Sequence, residues 1–125
     1  MSHHHHRSAI AACYACADAC DLCAVSCLNE PEPQHMARCI VLDMDCAQTC
    51  RLAAGFMARG SGFDNAACAL CAGICEACAA ECEKHDTDHC QACALACRLC
   101  AEECRRLTAH VAAITRAETG THAPG

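Results

Sequence analysis

Three stretches of this chain set cysteine at helical intervals: Cys13, Cys16, Cys20, Cys23, Cys27; then Cys68, Cys71, Cys75, Cys78, Cys82; then Cys90, Cys93, Cys97, Cys100, Cys104. Every run steps 3, 4, 3, 4. That alternation is the a/d seam of a helix bundle, the set of positions that leucine normally fills. A chain with sulfur on three such seams is constrained to turn its thiols inward along a bundle axis.

The remaining composition fits a helical bundle and little else. At 125 residues the chain has the size of one domain. Leu, Ile, Val and Phe together number only 17, and there is no Trp, so an ordinary aliphatic core is out of reach. The 28 alanines and 18 cysteines supply strong helix formers and small buryable groups instead. A net charge of −6 with a single lysine argues against nucleic acid as a partner. No continuous apolar run approaches the roughly 20 residues that span a bilayer, so no membrane partner is expected. Met1–Arg7 leads into no signal-like apolar segment. Thiols in this number also suit a reducing compartment, so the expected setting is cytoplasmic.

Breaks in the pattern divide the chain into four helices. The first runs from about Ser8, a plausible N-cap, to Leu28, and ends at the two prolines of Asn29-Glu-Pro-Glu-Pro-Gln34. The second covers about His35–Arg59 and stops at Gly60-Ser61-Gly62. The third covers about Asp64–Lys84, and a short turn leads to the fourth, about His89–Ala117. Short connections favour antiparallel neighbours, so the expected fold is all-α: an up-down-up-down four-helix bundle over residues 8–117 with a cysteine-lined core. Residues 1–7, with their four-histidine run, read as a disordered lead, and 118–125 as a flexible tail. Beside the sulfur lies an apolar stripe (Ala67, Leu70, Ile74, Ala77; Ala92, Leu95, Leu99) suited to helix packing, with any surplus free for an oligomer interface.

The second helix departs from the rule. It carries only Cys39, Cys46 and Cys50, and the 4, 3, 4 rhythm places Asp43 on their face, with Met36 and Met57 extending it. A buried carboxylate is expensive unless paired or bound. Periodicity alone also allows a slightly turned helix with Leu42 inward and Asp43 at the edge, because a stripe has width.

The chemistry follows from the ladder. A core of cysteine alone would be underfilled compared with leucine. Disulfide frameworks serve small loop-rich secreted folds, and thioredoxin-like chemistry needs an exposed thiolate near a helix N-terminus. Metal binding remains. Zinc and iron–sulfur clusters want discrete quartets of ligands, whereas a column has no natural division into fours. Cu(I) is soft, prefers thiolate, and accepts two or three sulfurs; with each thiolate bridging two ions the count is about 18 Cu(I) per chain, or slightly more. Those ions would also cancel the thiolate charge, which four Zn(II) would leave at about −10. The alternative is a zinc or mixed-metal thiolate buffer of metallothionein type.

The repeated C-x-x-C-x-x-x-C ladders, "RCIVLDMDCAQTC" in the second helix and "CEKHDTDHC" between the third and fourth resemble the bacterial four-helix-bundle copper storage proteins, in particular their cytosolic branch, over about Ile10–Leu107. The resemblance implies a homotetramer of bundles, each protomer holding many Cu(I) ions on its 18 cysteines, with copper buffering and tolerance as the role and no enzymatic activity. Copper ions are then the expected partner, with a copper chaperone as a candidate donor. It further implies loading through one mouth, whose histidines map onto His85 and His89, with Asp43 as the polar ligand of the second helix.

Alternating helix direction puts His35, Met36, His85 and His89 at one end, with Asp43 one to two turns inward. Without the resemblance, His85 and His89 read better as solvated turn residues than as ligands; His35 and Met36 read as secondary capture ligands or, alternatively, as a surface histidine and a core methionine. Asp64, one turn before Cys68, reads as well as a helix-capping acid. The opposite end, with Tyr14, Phe56, Phe63, His110 and Val111, is expected to form a hydrophobic plug.

Overall fold

The computed structural model describes residues 6–119, with side chains described as far as residue 109. The expected disordered lead and flexible tail therefore lie outside the described residues in segments 1–5 and 120–125, as do the side chains of His110 and Val111. Among the described residues four helices make up the fold: α1 (Arg7–Leu28), α2 (Ala37–Arg59), α3 (Asp64–Cys82) and α4 (Asp88–Thr119), with a 3-10 turn at Pro33–Met36 before α2. Backbones approach closely between α1 and α2, α2 and α3, α3 and α4, and α1 and α4. This is the ring of an up-down-up-down bundle. Diagonal helices meet through sulfur, as in Cys16 to Cys75 at 3.9 Å and Cys46 to Cys97 at 3.9 Å.

Helix ends follow local chemistry. Pro33 opens the 3-10 turn, where its missing N–H costs nothing, so the α-helix starts two residues after His35. Gly60 closes α2 at φ 66°, its N–H bonded to Met57 O while Ser61 N bonds Phe56 O, a Schellman closure that needs the left-handed residue. Ser8 is not the N-cap of α1. The helix starts one residue earlier, His6 precedes it without a side-chain cap, and the Ser8 hydroxyl instead donates to Glu103 on α4 at 2.8 Å.

The helix-packing stripe differs from the expected one. Ala67 is buried as expected and Ile74 is half-buried, but Leu70, Ala77, Ala92, Leu95 and Leu99 are exposed. Packing falls instead to the alanines that directly follow a ladder cysteine: Ala17, Ala24, Ala47, Ala72, Ala79, Ala94 and Ala101 are buried. One position past a seam residue lies only about 100° around the helix, still facing the neighbour, and a methyl group there lets backbones approach. Bidentate pairs of Arg98 with Glu83 and Arg105 with Glu76 tie α4 to α3, while Arg51 reaches Asp18 and Asp21 from α2 to α1. Exposed pairs of this kind contribute little energy and mainly fix register.

By length and mean hydropathy alone, α1 and α3 would qualify as membrane-spanning, contrary to the expectation from continuous apolar runs. Their hydropathy comes largely from alanine and cysteine, and every one of those cysteines is buried in the bundle.

Candidate metal centre

All eighteen cysteines are free thiols, none more than 2 % exposed. They form one continuous column. At the end where α1 begins, Cys13 lies 3.6 Å from Cys100 and 4.0 Å from Cys104. Cys50 lies 3.6 Å from Cys71, and Cys46 3.5 Å from Cys75. Cys16 reaches Cys97 at 3.6 Å, Cys97 reaches Cys20 at 3.7 Å, and Cys20 reaches Cys93 at 3.6 Å. Further along, Cys39 lies 3.4 Å from Cys82, and Cys90 lies 3.8 Å from both Cys23 and Cys27. A metal–sulfur bond of about 2.3 Å puts two ligand sulfurs about 3.8 Å apart at a tetrahedral angle, about 4.0 Å at a trigonal one and about 4.6 Å in a line. The thiols thus already stand at ligand spacing.

Sulfurs within 4.8 Å of one another group into quartets, and the quartets overlap. Cys16 and Cys46 belong both to the set with Cys50 and Cys75 and to the set with Cys20 and Cys97; Cys20 and Cys97 recur with Cys78 and Cys93. Sharing of this kind suits ions joined by bridging thiolates, while four of the sets share no cysteine and could also act as separate four-thiolate sites. Cys13, Cys71, Cys100 and Cys104 form a set at one end, and Cys23, Cys27, Cys39 and Cys90 a set at the other. Burial is the leading cause that pushes the Cys27 and Cys90 thiols up from their ordinary value.

Asp43 lies fully inside the column, and Leu42 sits at the edge of the core, which decides the alternative that periodicity left open. Its Oδ1 accepts hydrogen bonds from Cys78 and Cys93, each at 3.2 Å. Burial, reinforced by the charge that Cys93 and Cys78 would carry as thiolates, pushes its carboxyl up to about 10. At neutral pH Asp43 is therefore a protonated acid among thiols.

The two mouth histidines are not equivalent. His89 points Nδ1 at three sulfurs, 3.6 Å from Cys23, 3.8 Å from Cys27 and 3.6 Å from Cys90. Its Nε2 lies 3.0 Å from Glu30 Oε2. A carboxylate only accepts, so Nε2 carries the proton and the Nδ1 lone pair faces the thiols, the orientation a soft cation needs. His85 makes its bond to Glu81 Oε2 instead, at 3.1 Å. Burial opposes the charge on Glu81, but the hydrogen bonds from His85 and Lys84 outweigh it and hold the carboxyl below its usual range. His35 is exposed beside Glu32, and Met36 is buried.

Sequence reasoning missed Glu30 and Glu81. Glu81 precedes His85 by four residues on the helical repeat, a signal that was available. Glu30 lies in the connection after α1, 59 residues from His89, and carried none. The opposite end also differs from the expected plug. Tyr14 and Phe63 are exposed, and Phe56 is half-buried with Arg59 over its ring. Ala9, Ala53, Met57 and Leu107 close that end, because they continue the seam intervals of Cys13, Cys50 and Cys104 while the aromatic residues sit off them.

Comparison with known proteins agrees with this geometry. A family model described as copper storage protein matches residues 2–109. The cysteine-rich protein YhjQ of Bacillus subtilis is 50% identical over 80 residues, 64% of this chain and 74% of that protein. The Cu(I)-bound copper storage protein BsCsp3 is 50% identical, with a TM-score of 0.81 over 83% of this chain and 98% of its own. A cytosolic copper storage protein from Streptomyces lividans, solved with five coppers, is 38% identical, with a TM-score of 0.83 over 86% of this chain and 95% of its own. A thiol column of this length, built on a bundle that superimposes on both, assigns the chain to the copper storage protein family.

Proposed function

We propose that the protein stores and buffers Cu(I) in the cytosol, the thiol column being the store. The observation that carries this reading is the continuity of eighteen buried free thiols at ligand spacing. The Cu(I)-bound and copper-loaded relatives support the choice of metal and of compartment. Capacity is about 18 Cu(I) per chain, one for each bridging thiolate. Each Cu(I) replaces a thiol proton, so filling leaves the buried column near neutral while protons leave to solvent. Four of the four-thiol sets share no cysteine, which is what favours a zinc reading, but four Zn(II) would leave a thiolate charge of about −10 in the core, and the Cu(I)-bound relatives favour copper.

Loading runs through the end where Asp43, His85 and His89 stand. His89 already faces three thiols and is the first ligand that an incoming ion meets together with sulfur. Asp43 lies deeper, against Cys78 and Cys93, and as a harder donor it passes the ion inward without trapping it. The role is storage rather than turnover, and a copper chaperone is a suitable donor. Exposed apolar side chains on all four helices, among them Leu22, Val25, Val41, Leu52, Leu70, Leu95 and Leu99, support assembly into a homotetramer. Anaerobic titration of reduced protein with Cu(I), against a competing chelator, tests the storage reading. Saturation near four ions with a preference for Zn(II) would defeat it.

A further inference from the structure

The end of the column remote from His85 and His89 has polar donors of its own. His6, immediately before α1, is 14% exposed at its side chain, and among the described residues its Nδ1 is enclosed without any hydrogen-bond partner. The nearest opposing group is Asp64 Oδ2 at 3.8 Å, too far for a hydrogen bond. Asp64, in the first turn of α3, is itself 23% exposed. His6, Asp64, Asn65, Cys68 and Leu107 line a cavity of about 20 Å³. That is room for a single small occupant, on the scale of one water molecule.

The spacing fits a metal ion better than it fits an ion pair. With bonds of about 2.1 Å to nitrogen and to oxygen, a ligand angle of about 120–140° sets the two donors about 3.6–3.9 Å apart. Imidazole and thiolate are both good donors to Cu(I), and a carboxylate beside them adds negative charge where a cation would arrive. A buried ring nitrogen with no partner is costly, and an ion in the cavity is what would satisfy it.

We propose that His6, Cys68 and Asp64 form a terminal Cu(I) site at this second end of the column, with His6 Nδ1 and Cys68 Sγ as ligands and the Asp64 carboxylate as the charged third group. The inference rests on the copper reading given above. The site joins the main store, because Cys68 adjoins Cys104, which in turn lies 4.0 Å from Cys13. Its partly exposed carboxylate gives the site a point of contact with solvent beside the residues that close this end.

Crystals of the full chain loaded with Cu(I), with anomalous scattering recorded at the copper edge, locate the ions directly. A peak within bonding distance of both His6 Nδ1 and Cys68 Sγ is expected. His6→Ala and Asp64→Asn should leave the circular dichroism unchanged, and His6→Ala should lower capacity by about one ion. Copper on Cys68 shared only with other cysteines, together with an unchanged capacity in His6→Ala, overturns the site. Zn(II) bound there in preference to Cu(I) overturns it as well. Should the wild-type protein take up no copper at all, the storage reading itself has failed, and that result is distinct from an empty second end in a column filled elsewhere.

Discussion

Oδ1 of Asp43 lies 3.2 Å from the sulfur of Cys93, inside a core that solvent does not reach. A carboxylate in that position would be surrounded by thiol sulfur and low-dielectric packing, so the acid keeps its proton to about pH 10. The apo column is therefore built around one neutral acid. Its stability responds to pH through that group.

The sign is definite. Asp43 is raised from 3.8 to about 10, so above pH 4 the unfolded chain loses a proton that the folded chain keeps, and the fold weakens as pH rises. Asp43→Asn removes this penalty while keeping the shape. Metal-free Asp43→Asn should gain stability over wild type steadily between about pH 4 and 8, below the thiol range. Thermal melts of the two reduced proteins across that interval check it, and a constant difference would show that Asp43 is ionised when folded.

Reduced, metal-free protein should already be helical and should melt cooperatively. The buried alanines, the seam thiols and Met57 close the core without an ion, unlike small zinc domains that fold only when metal binds. Far-ultraviolet circular dichroism decides this. A coil spectrum that turns helical only on copper addition would contradict it.

Filling should release about one proton for each Cu(I) bound, because each new thiolate comes from a buried thiol. Titration in weak buffer with a pH indicator gives the ratio alongside the stoichiometry. A ratio near zero would mean that the resting column is already ionised.

His89→Ala should slow copper uptake and chelator-driven removal more than His85→Ala does, since only His89 is held against Cys23, Cys27 and Cys90. Glu30→Gln should show part of the same defect, through loss of the carboxylate that orients the ring; losing such an outer partner typically costs about 10–100-fold in affinity at a metal site. Stopped-flow absorbance of each variant tests the order. Equal effects at the two histidines would remove the distinction drawn between them.

Cys46 belongs to two overlapping quartets at the centre of the column. Cys46→Ala should cost one or two ions of capacity and leave the rest of the store working. Loss of one heavy side-chain atom should lower apo stability by about 1 kcal/mol. Copper titration and a denaturant melt measure the two effects, and collapse of the whole capacity would mean that the ions fill as one indivisible cluster.

Some of this protein follows from the amino-acid order alone. Steps of 3 and 4 can bring every cysteine to one face only on a helix, so three of the helices, the inward sulfur and the metal class were legible in Cys13–Cys27, Cys68–Cys82 and Cys90–Cys104. Met57 continuing the Cys46–Cys50 interval was legible for the same reason. Periodicity defines a direction around a helix, however, and not a depth or a partner. It left Asp43 between core and edge until four packed helices enclosed it. It set the aromatic residues in a plug that Ala9, Ala53, Met57 and Leu107 supply instead. The pairing of His89 with Glu30, 59 residues away, and the approach of His6 to Asp64 at the other end exist only once the ring of helices closes. Contacts between residues distant in sequence are set by packing geometry, and only the tertiary structure decided which histidine faces sulfur.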